Sequence, residues 1–118
     1  MAKRKISIDD GRAALAAARA GSTARADVAT AVRYLLEELA ERAPGNTVEV
    51  RVPPYGATQC VSGPRHTRGT PPNVIETDAK TWIAMACGEL DWDTAVSDAR
   101  VIASGSRAVL GNLLPLVR

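Results

Sequence analysis

Apolar residues recur at helical spacing in two early segments of the chain. Residues 7–20 are rich in alanine and end at Gly21, which predicts a first helix with Ser7 or Asp9 as its N-cap. A second helix is predicted by an apolar stripe, opposite a charged face, that ends before Pro44. The stripe comprises Val28, Val32, Leu35, Leu36, Leu39 and Ala43.

The apolar period then changes from helical spacing to strict alternation. Val48, Val50 and Val52 alternate with charged residues, which predicts a strand with one buried face. Pro53 ends this strand because proline donates no hydrogen bond to a ladder. The segments ATQCV, NVIET and RVIAS predict three further strands, the first antiparallel to residues 48–52 through the link PPYG.

Three more helices are predicted in the second half of the chain. Thr77 or Asp78 caps a helix that Gly88 closes, and Asp91 begins a short one. Ser106 caps a last helix, whose apolar residues are Val109, Leu110, Leu113 and Leu114. The predicted order is α-α-β-β-β-α-α-β-α. It describes an α+β domain with helices covering one mixed sheet of about four to five strands.

Composition and charge indicate one small globular domain. The chain has 118 residues, 46% hydrophobic and 24% charged, so we expect a single domain over residues 1–118 with a frayed basic tail at 1–6. The net charge of +2 gives no argument for nucleic-acid binding. No segment resembles a membrane span or a secretory signal, and Cys60 and Cys87 form no disulfide framework. We therefore expect a cytoplasmic protein.

The last forty residues resemble a known kind of domain. The run ETDAKTWIAMACGELDWDTAVSDARVIASGSRAVLGNLLPL resembles the C-terminal half of sterol-carrier-protein-like domains. The matching positions are Asp78, Gly88, Ala95, Val101, Gly105, Leu110 and Leu113. From about Val28 onward the chain is similar to the compact sterol-carrier family of actinobacteria. The resemblance implies helices and a sheet around an apolar tunnel for fatty acids, acyl chains or sterols, without enzymatic activity.

The resemblance also implies a ligand wall, although the same helical spacing serves a plain core equally well. The wall residues are Trp82, Ile83, Met85, Trp92, Val96, Leu110, Leu113 and Leu114. An empty apolar pocket of about 300 Å³ would cost on the order of 7 kcal/mol, against a total stability of about 5–15 kcal/mol. Either a ligand or water fills the tunnel, or the helices close it. A closed tunnel would leave an interaction module or a homodimer as the alternative function.

The segment GPRHTRGTPPNV, residues 63–74, contains the only histidine of the chain. Arg65, His66 and Arg68 suit a carboxylate or phosphate head group, or peripheral contact with an anionic membrane. A solvated turn set by glycine and proline is the simpler interpretation. His66 lacks a partner acid or nucleophile motif, so no catalytic residue is predicted. The acidic run ELDWD lacks the glycine and final glutamate of a calcium loop, so we expect neither a metal nor a cofactor.

Overall fold

The computed structural model describes residues 4–63 and 73–117. The described residues form four helices and four strands, in an order that matches the prediction up to the last strand. The helices are α1 (Ile8–Arg19), α2 (Arg25–Arg42), α3 (Ala79–Ala86) and α4 (Trp92–Ser97). The strands are β1 (Val48–Val52), β2 (Gly56–Cys60), β3 (Asn73–Thr77) and β4 (Val101–Ser104).

The four strands form one mixed sheet in the order β2-β1-β3-β4. β1 pairs antiparallel with β2 and parallel with β3, and β3 pairs antiparallel with β4. The register places Val48 opposite Cys60 and Val52 opposite Gly56, as the predicted hairpin requires. The α+β class and the mixed sheet are therefore confirmed.

One face of the sheet is covered by the helices and the other carries charge. Val50 and Ile75 lie opposite each other on the covered face, and neither side chain is exposed to solvent. Strand residues alternate between faces, so their neighbours in sequence lie on the opposite side. We call this opposite side the polar face. It includes Glu49, Arg51, Gln59, Val74, Glu76 and Ile102.

Helix α2 lies at the centre of the fold, where it packs against β2, α1 and α3. Its Arg33 donates from Nε to the carbonyl oxygen of Tyr55, 2.7 Å away, just before β2. Trp82 of α3 donates from its indole nitrogen to the carbonyl oxygen of Val32 at 3.3 Å. The apolar stripe predicted for α2 is accordingly the largest helical contribution to the core.

Two helix starts that the sequence left open are decided by side-chain caps. The Ser7 hydroxyl accepts a hydrogen bond from the Asp10 N–H at 3.1 Å, which fixes the start of α1. The Asp78 carboxylate accepts from the Thr81 N–H at 2.8 Å, which fixes the start of α3. Gly88, with φ of +78°, lies just beyond the C-cap of α3, in a conformation that favours glycine.

Residues 4–6 belong to the segment 1–6 for which the sequence predicts a frayed tail, and in the structure they contact α2. The three residues before them lie outside the described chain. Arg4 Nη1 contacts the carboxylates of Glu38 at 3.2 Å and Glu41 at 2.7 Å. The backbone N–H groups of the next two residues donate to the carboxylate of Glu37 at 3.1 and 3.2 Å. The acidic face of α2 therefore holds this segment, although no periodicity in the segment itself indicates a partner.

The predicted C-terminal helix is wrong. After β4 the chain forms turns and extended backbone, with a single turn in which the Leu110 carbonyl accepts from the N–H groups of Leu113 and Leu114. Gly111 is a weak helix former, and Pro115 has no N–H and disfavours helical backbone in the residue before it. The leucine spacing fits a helix, but these residues prevent one from continuing.

The C-terminal segment packs against the core as an irregular strap, which we define as residues 108–117. The N–H groups of Leu116 and Val117 both donate to the carbonyl oxygen of Ala86, at 2.8 and 3.1 Å. Ala108, Leu110 and Leu116 are buried along it.

Candidate functional site

The eight residues of the predicted ligand wall do not share one environment. Trp82, Met85 and Leu110 expose at most 1% of their surface. A side chain that lined an open tunnel would expose surface to a water-sized probe, so these three pack as solid core in this structure. Helical spacing in the sequence does not distinguish a solid core from the wall of an open tunnel.

The other five wall residues lie nearer the surface. Ile83 and Trp92 are each 8% exposed, and the half-buried pair Leu113 and Leu114 lies on the strap. Val96 is 41% exposed and lies outside the apolar core cluster. The structure therefore brings seven of the eight residues into or against one core and leaves Val96 on the surface.

A groove of about 730 Å³ lies between α1, α2 and the strap. This volume falls within the range of about 300–1,000 Å³ that is typical of ligand pockets. The apolar part of its lining includes Leu15, Tyr34 and Leu116, which also belong to the core cluster. The full lining is Arg12, Leu15, Ala16, Arg19, Tyr34, Glu38, Arg42, Pro115, Leu116 and Val117.

Helical spacing explains which residues of α1 reach the groove. Arg12, Leu15, Ala16 and Arg19 follow one another at intervals of three, one and three residues, so they share one face of the helix. An arginine lies at each end of that face, with two apolar residues between. The groove therefore has an apolar centre on the α1 side and cationic ends.

The two helices approach each other closely at one point beside the groove. Gly11 of α1 lies against the ring of Tyr34, and a β-carbon at position 11 would overlap that ring. The Arg4 guanidinium lies 5.2 Å from the centre of the same ring, within the range of a cation–π contact. The Tyr34 ring is thus held between two neighbours while it lines the groove.

The rim of the groove is cationic, with three arginines and one glutamate in its lining. Arg19 pairs with Glu89 at 3.1 Å, and Arg42 pairs with Glu38 at 3.5 Å. Within residues 4–63 and 73–117, no carboxylate lies within 4.0 Å of the Arg12 guanidinium. Arg12 is therefore the rim cation with no acidic partner in the described chain.

A sequence model of the bacterial SCP ortholog family matches residues 24–116. The chain belongs to this sterol-carrier-protein-like family. The matched region runs from the start of α2 to the strap, so the family match covers the whole sheet and helices α2, α3 and α4. No curated protein matches the chain.

Helix α1 lies outside the part of the chain that the SCP family model matches. One side of the groove, including Arg12 and Arg19, therefore comes from residues that precede the matched region. The opposite side comes from α2 and from the strap, all of whose lining residues except Val117 lie within the matched region. The groove is therefore built partly from residues inside the matched region and partly from residues before it.

The two thiols of this SCP family member are buried. Burial raises the pKa of Cys60 from its ordinary value to about 11, and it also raises the pKa of Cys87. Both thiols are therefore protonated at neutral pH, and the thiolate is the nucleophilic form of cysteine. Cys60 lies on the covered side of the sheet, and its burial accounts for its place in the core cluster.

The head-group residues predicted from the sequence, Arg65, His66 and Arg68, lie outside the described residues. The described chain stops at Gly63 and continues at Asn73. In the described part, no group of three His, Cys, Asp or Glu side chains is arranged to hold a metal ion. None of the described helices has the length and apolar character needed to cross a bilayer.

Sequence reasoning missed the groove. The spacing of Arg12, Leu15, Ala16 and Arg19 is visible in the sequence and could have marked this face of α1. The opposite wall is residues 115–117, nearly a hundred positions later, and no local pattern pairs the two. Only the folded chain brings them together.

Proposed function

We propose that this protein binds or transfers an apolar ligand, such as a fatty acid, an acyl chain or a sterol-like lipid, and that it is a cytoplasmic, non-enzymatic carrier. Its membership of a sterol-carrier-protein-like family supports the carrier role. The proposal includes no metal and no cofactor. The ligand enters through the groove between α1, α2 and the strap.

The apolar lining of the groove is the observation that carries this proposal. Leu15 and Tyr34 line the groove from two helices, and Leu116 lines it from the strap. They expose only 6%, 3% and 2% of their surface, so a bound chain reaches them when the strap is displaced. Each CH₂ group that a ligand buries on binding contributes about 0.8 kcal/mol to the binding free energy. Ten buried carbons would contribute about 8 kcal/mol in total, before the cost of association is subtracted.

The strap provides a route from the groove to the predicted wall. Leu116 lines the groove, while Leu110 of the same strap packs in the core with Trp82 and Met85. Two backbone hydrogen bonds to Ala86 hold the end of the strap to α3. We propose that a bound chain displaces this end and extends between the strap and the wall residues, which are packed without space when no ligand is bound.

The test is native mass spectrometry of the full chain purified without detergent, before and after incubation with a mixture of fatty acids. We expect a fixed added mass that organic extraction recovers as a fatty acid or another lipid. A bare polypeptide mass that incubation leaves unchanged would contradict the proposal, because it would mean that neither the groove nor the core accepts a chain.

A pair of matched variants assigns the binding to the groove. Ala16 is exposed and lines the groove, so Ala16→Trp fills the space while leaving the buried core unchanged. Ala13 is exposed on the same helix and does not line the groove, so Ala13→Trp controls for the indole itself. We expect the first variant to lose the added mass and the second to retain it. Equal retention in both variants would place the ligand elsewhere.

A second candidate function, a protein-interaction or dimerisation module, is favoured by Ile102. This side chain is 69% exposed on the polar face of the sheet, a large apolar residue among charged neighbours. The measurement is sedimentation velocity over a range of protein concentrations, with Ile102→Lys as the comparison. A sedimentation coefficient that rises with concentration only when Ile102 is present would support this function.

A further inference from the structure

We infer that the groove selects amphiphiles with an anionic head group, a carboxylate or a phosphate ester, and that Arg12 of α1 is the principal contact for that group. This inference rests on the proposed function, since it names the class of ligand for the same groove. It adds a specificity that arises from α1, which lies outside the region matched by the family model.

The first support is the order of residues along the α1 side of the groove. Arg12 and Arg19 are separated by seven residues, which is about 10 Å along the helix axis. Leu15 and Ala16 lie between them on the same face. The acidic residues of α1, Asp9 and Asp10, precede this face and do not line the groove. A ligand in the groove thus meets apolar surface at the centre and cations at the ends.

The second support is the difference in partners among the three rim arginines. Arg19 and Arg42 each have a carboxylate within 4.0 Å, from Glu89 and Glu38 respectively. Glu38 also contacts Arg4, so its charge is shared between two guanidinium groups. Arg12 has no such partner in the described part of the chain. The Arg12 side chain is exposed, so an anion in the groove has access to its guanidinium.

The third support is the chemistry of the guanidinium group. Its planar donors match the two oxygens of a carboxylate or phosphate, and the resulting hydrogen bonds are stronger than those between neutral groups. A hydroxyl head group offers a weaker acceptor and no charge. The rim should therefore distinguish an ionised amphiphile from an alcohol with the same chain, while the apolar lining treats the two chains alike.

The experiment compares three ligands with one chain length. Dodecanoate, dodecyl phosphate and 1-dodecanol are titrated into the full chain by calorimetry at pH 8 and low ionic strength. We expect both anions to bind more tightly than the alcohol, by up to about fivefold, the upper end of the range for one exposed ion pair. Equal affinity for the anions and the alcohol would overturn the inference and leave the proposed function intact. Binding of none of the three would contradict both.

Matched charge variants test the assignment to Arg12. Arg12→Gln should weaken binding of both anions by up to about fivefold and leave binding of the alcohol unchanged. Arg25→Gln removes the same charge from the first turn of α2, outside the groove, and should change none of the three affinities. Equal losses in the two variants would mean that net charge, not the rim, attracts the anion. A third variant replaces both Arg65 and Arg68 by alanine. If this variant loses the preference for the anions over the alcohol while Arg12→Gln retains it, the head group lies on the 63–74 loop and the assignment to Arg12 is overturned.

Discussion

Gly11 of α1 lies directly against the ring of Tyr34 on α2, with no room for a β-carbon between them. The contact brings the two helices together beside the groove and fixes the ring that lines it. The geometry of the groove therefore depends on a glycine whose usual effect in a helix is to weaken it.

Gly11→Ala should destabilise the protein by about 1–3 kcal/mol, because the added carbon forces the buried ring to move. The measurement is the free energy of urea unfolding, repeated in a Tyr34→Ala background. Without the ring, the same substitution should be neutral or should stabilise by about 0.5–1 kcal/mol through helix propensity. A cost that is equal in both backgrounds would show that the ring is not what position 11 contacts.

Asp78 and Asp91 are both aspartates at helix starts, and only the first uses its side chain. The Asp78 carboxylate accepts hydrogen bonds from the N–H and the hydroxyl of Thr81, at 2.8 and 3.0 Å, whereas Asp91 makes no capping bond from its side chain. Asp78→Ala should cost about 1 kcal/mol in unfolding free energy, and Asp91→Ala under about 0.5 kcal/mol. Equal costs would contradict the cap geometry.

Leu116 tests the packing of the strap, because the C-terminal helix predicted from the sequence did not include this residue among its apolar positions. Its side chain is 2% exposed and packs in the core, so Leu116→Ala should cost about 2–4 kcal/mol in unfolding free energy. Val109, 52% exposed near the start of the strap, provides the control, and Val109→Ala should change stability by less than about 0.5 kcal/mol. A small effect at Leu116 would mean that the strap does not pack as described.

The elements that were predicted correctly are those in which one local pattern sufficed. The alternation of Val48, Val50 and Val52 located β1, and the choice of Thr77 or Asp78 as cap located the start of α3 to within one residue. The strap was missed because its leucines have helical spacing. Its backbone is not helical because Pro115 disfavours a helix and because the residues after it donate hydrogen bonds to Ala86. Apolar periodicity predicts which residues are buried, but it does not determine whether their backbone is helical.

The candidate site was less accessible to sequence reasoning than the fold. The wall residues Trp82 and Met85 were expected from the family resemblance, but their complete burial depends on how the whole core closes. The groove needs α1 beside residues 115–117, a contact between the two ends of the chain. Arg4 gave no local signal either, because its partners are on the acidic face of α2.

The buried thiol of Cys60 makes stability dependent on alkaline pH. Its pKa is raised to about 11 in the folded protein, so from about pH 9 upward the unfolded chain loses this proton while the folded chain retains it. Stability should therefore fall between about pH 9 and pH 11, by about 1 kcal/mol at pH 10 from this group alone. The measurement is urea unfolding at pH 8 and pH 10 for the wild type and Cys60→Ala. An equal fall in the two proteins would contradict the assignment to this thiol.

The central claim, that an apolar chain binds between α1, α2 and the strap, is tested most directly by photoaffinity labelling. The full chain is illuminated with a fatty acid that carries a diazirine in mid-chain, and the labelled peptides are identified by mass spectrometry. We expect labels in α1 and in residues 108–117, and their loss when excess palmitate is present. Labels concentrated at Ile102 and the polar face of the sheet, or labels that palmitate does not reduce, would contradict the claim.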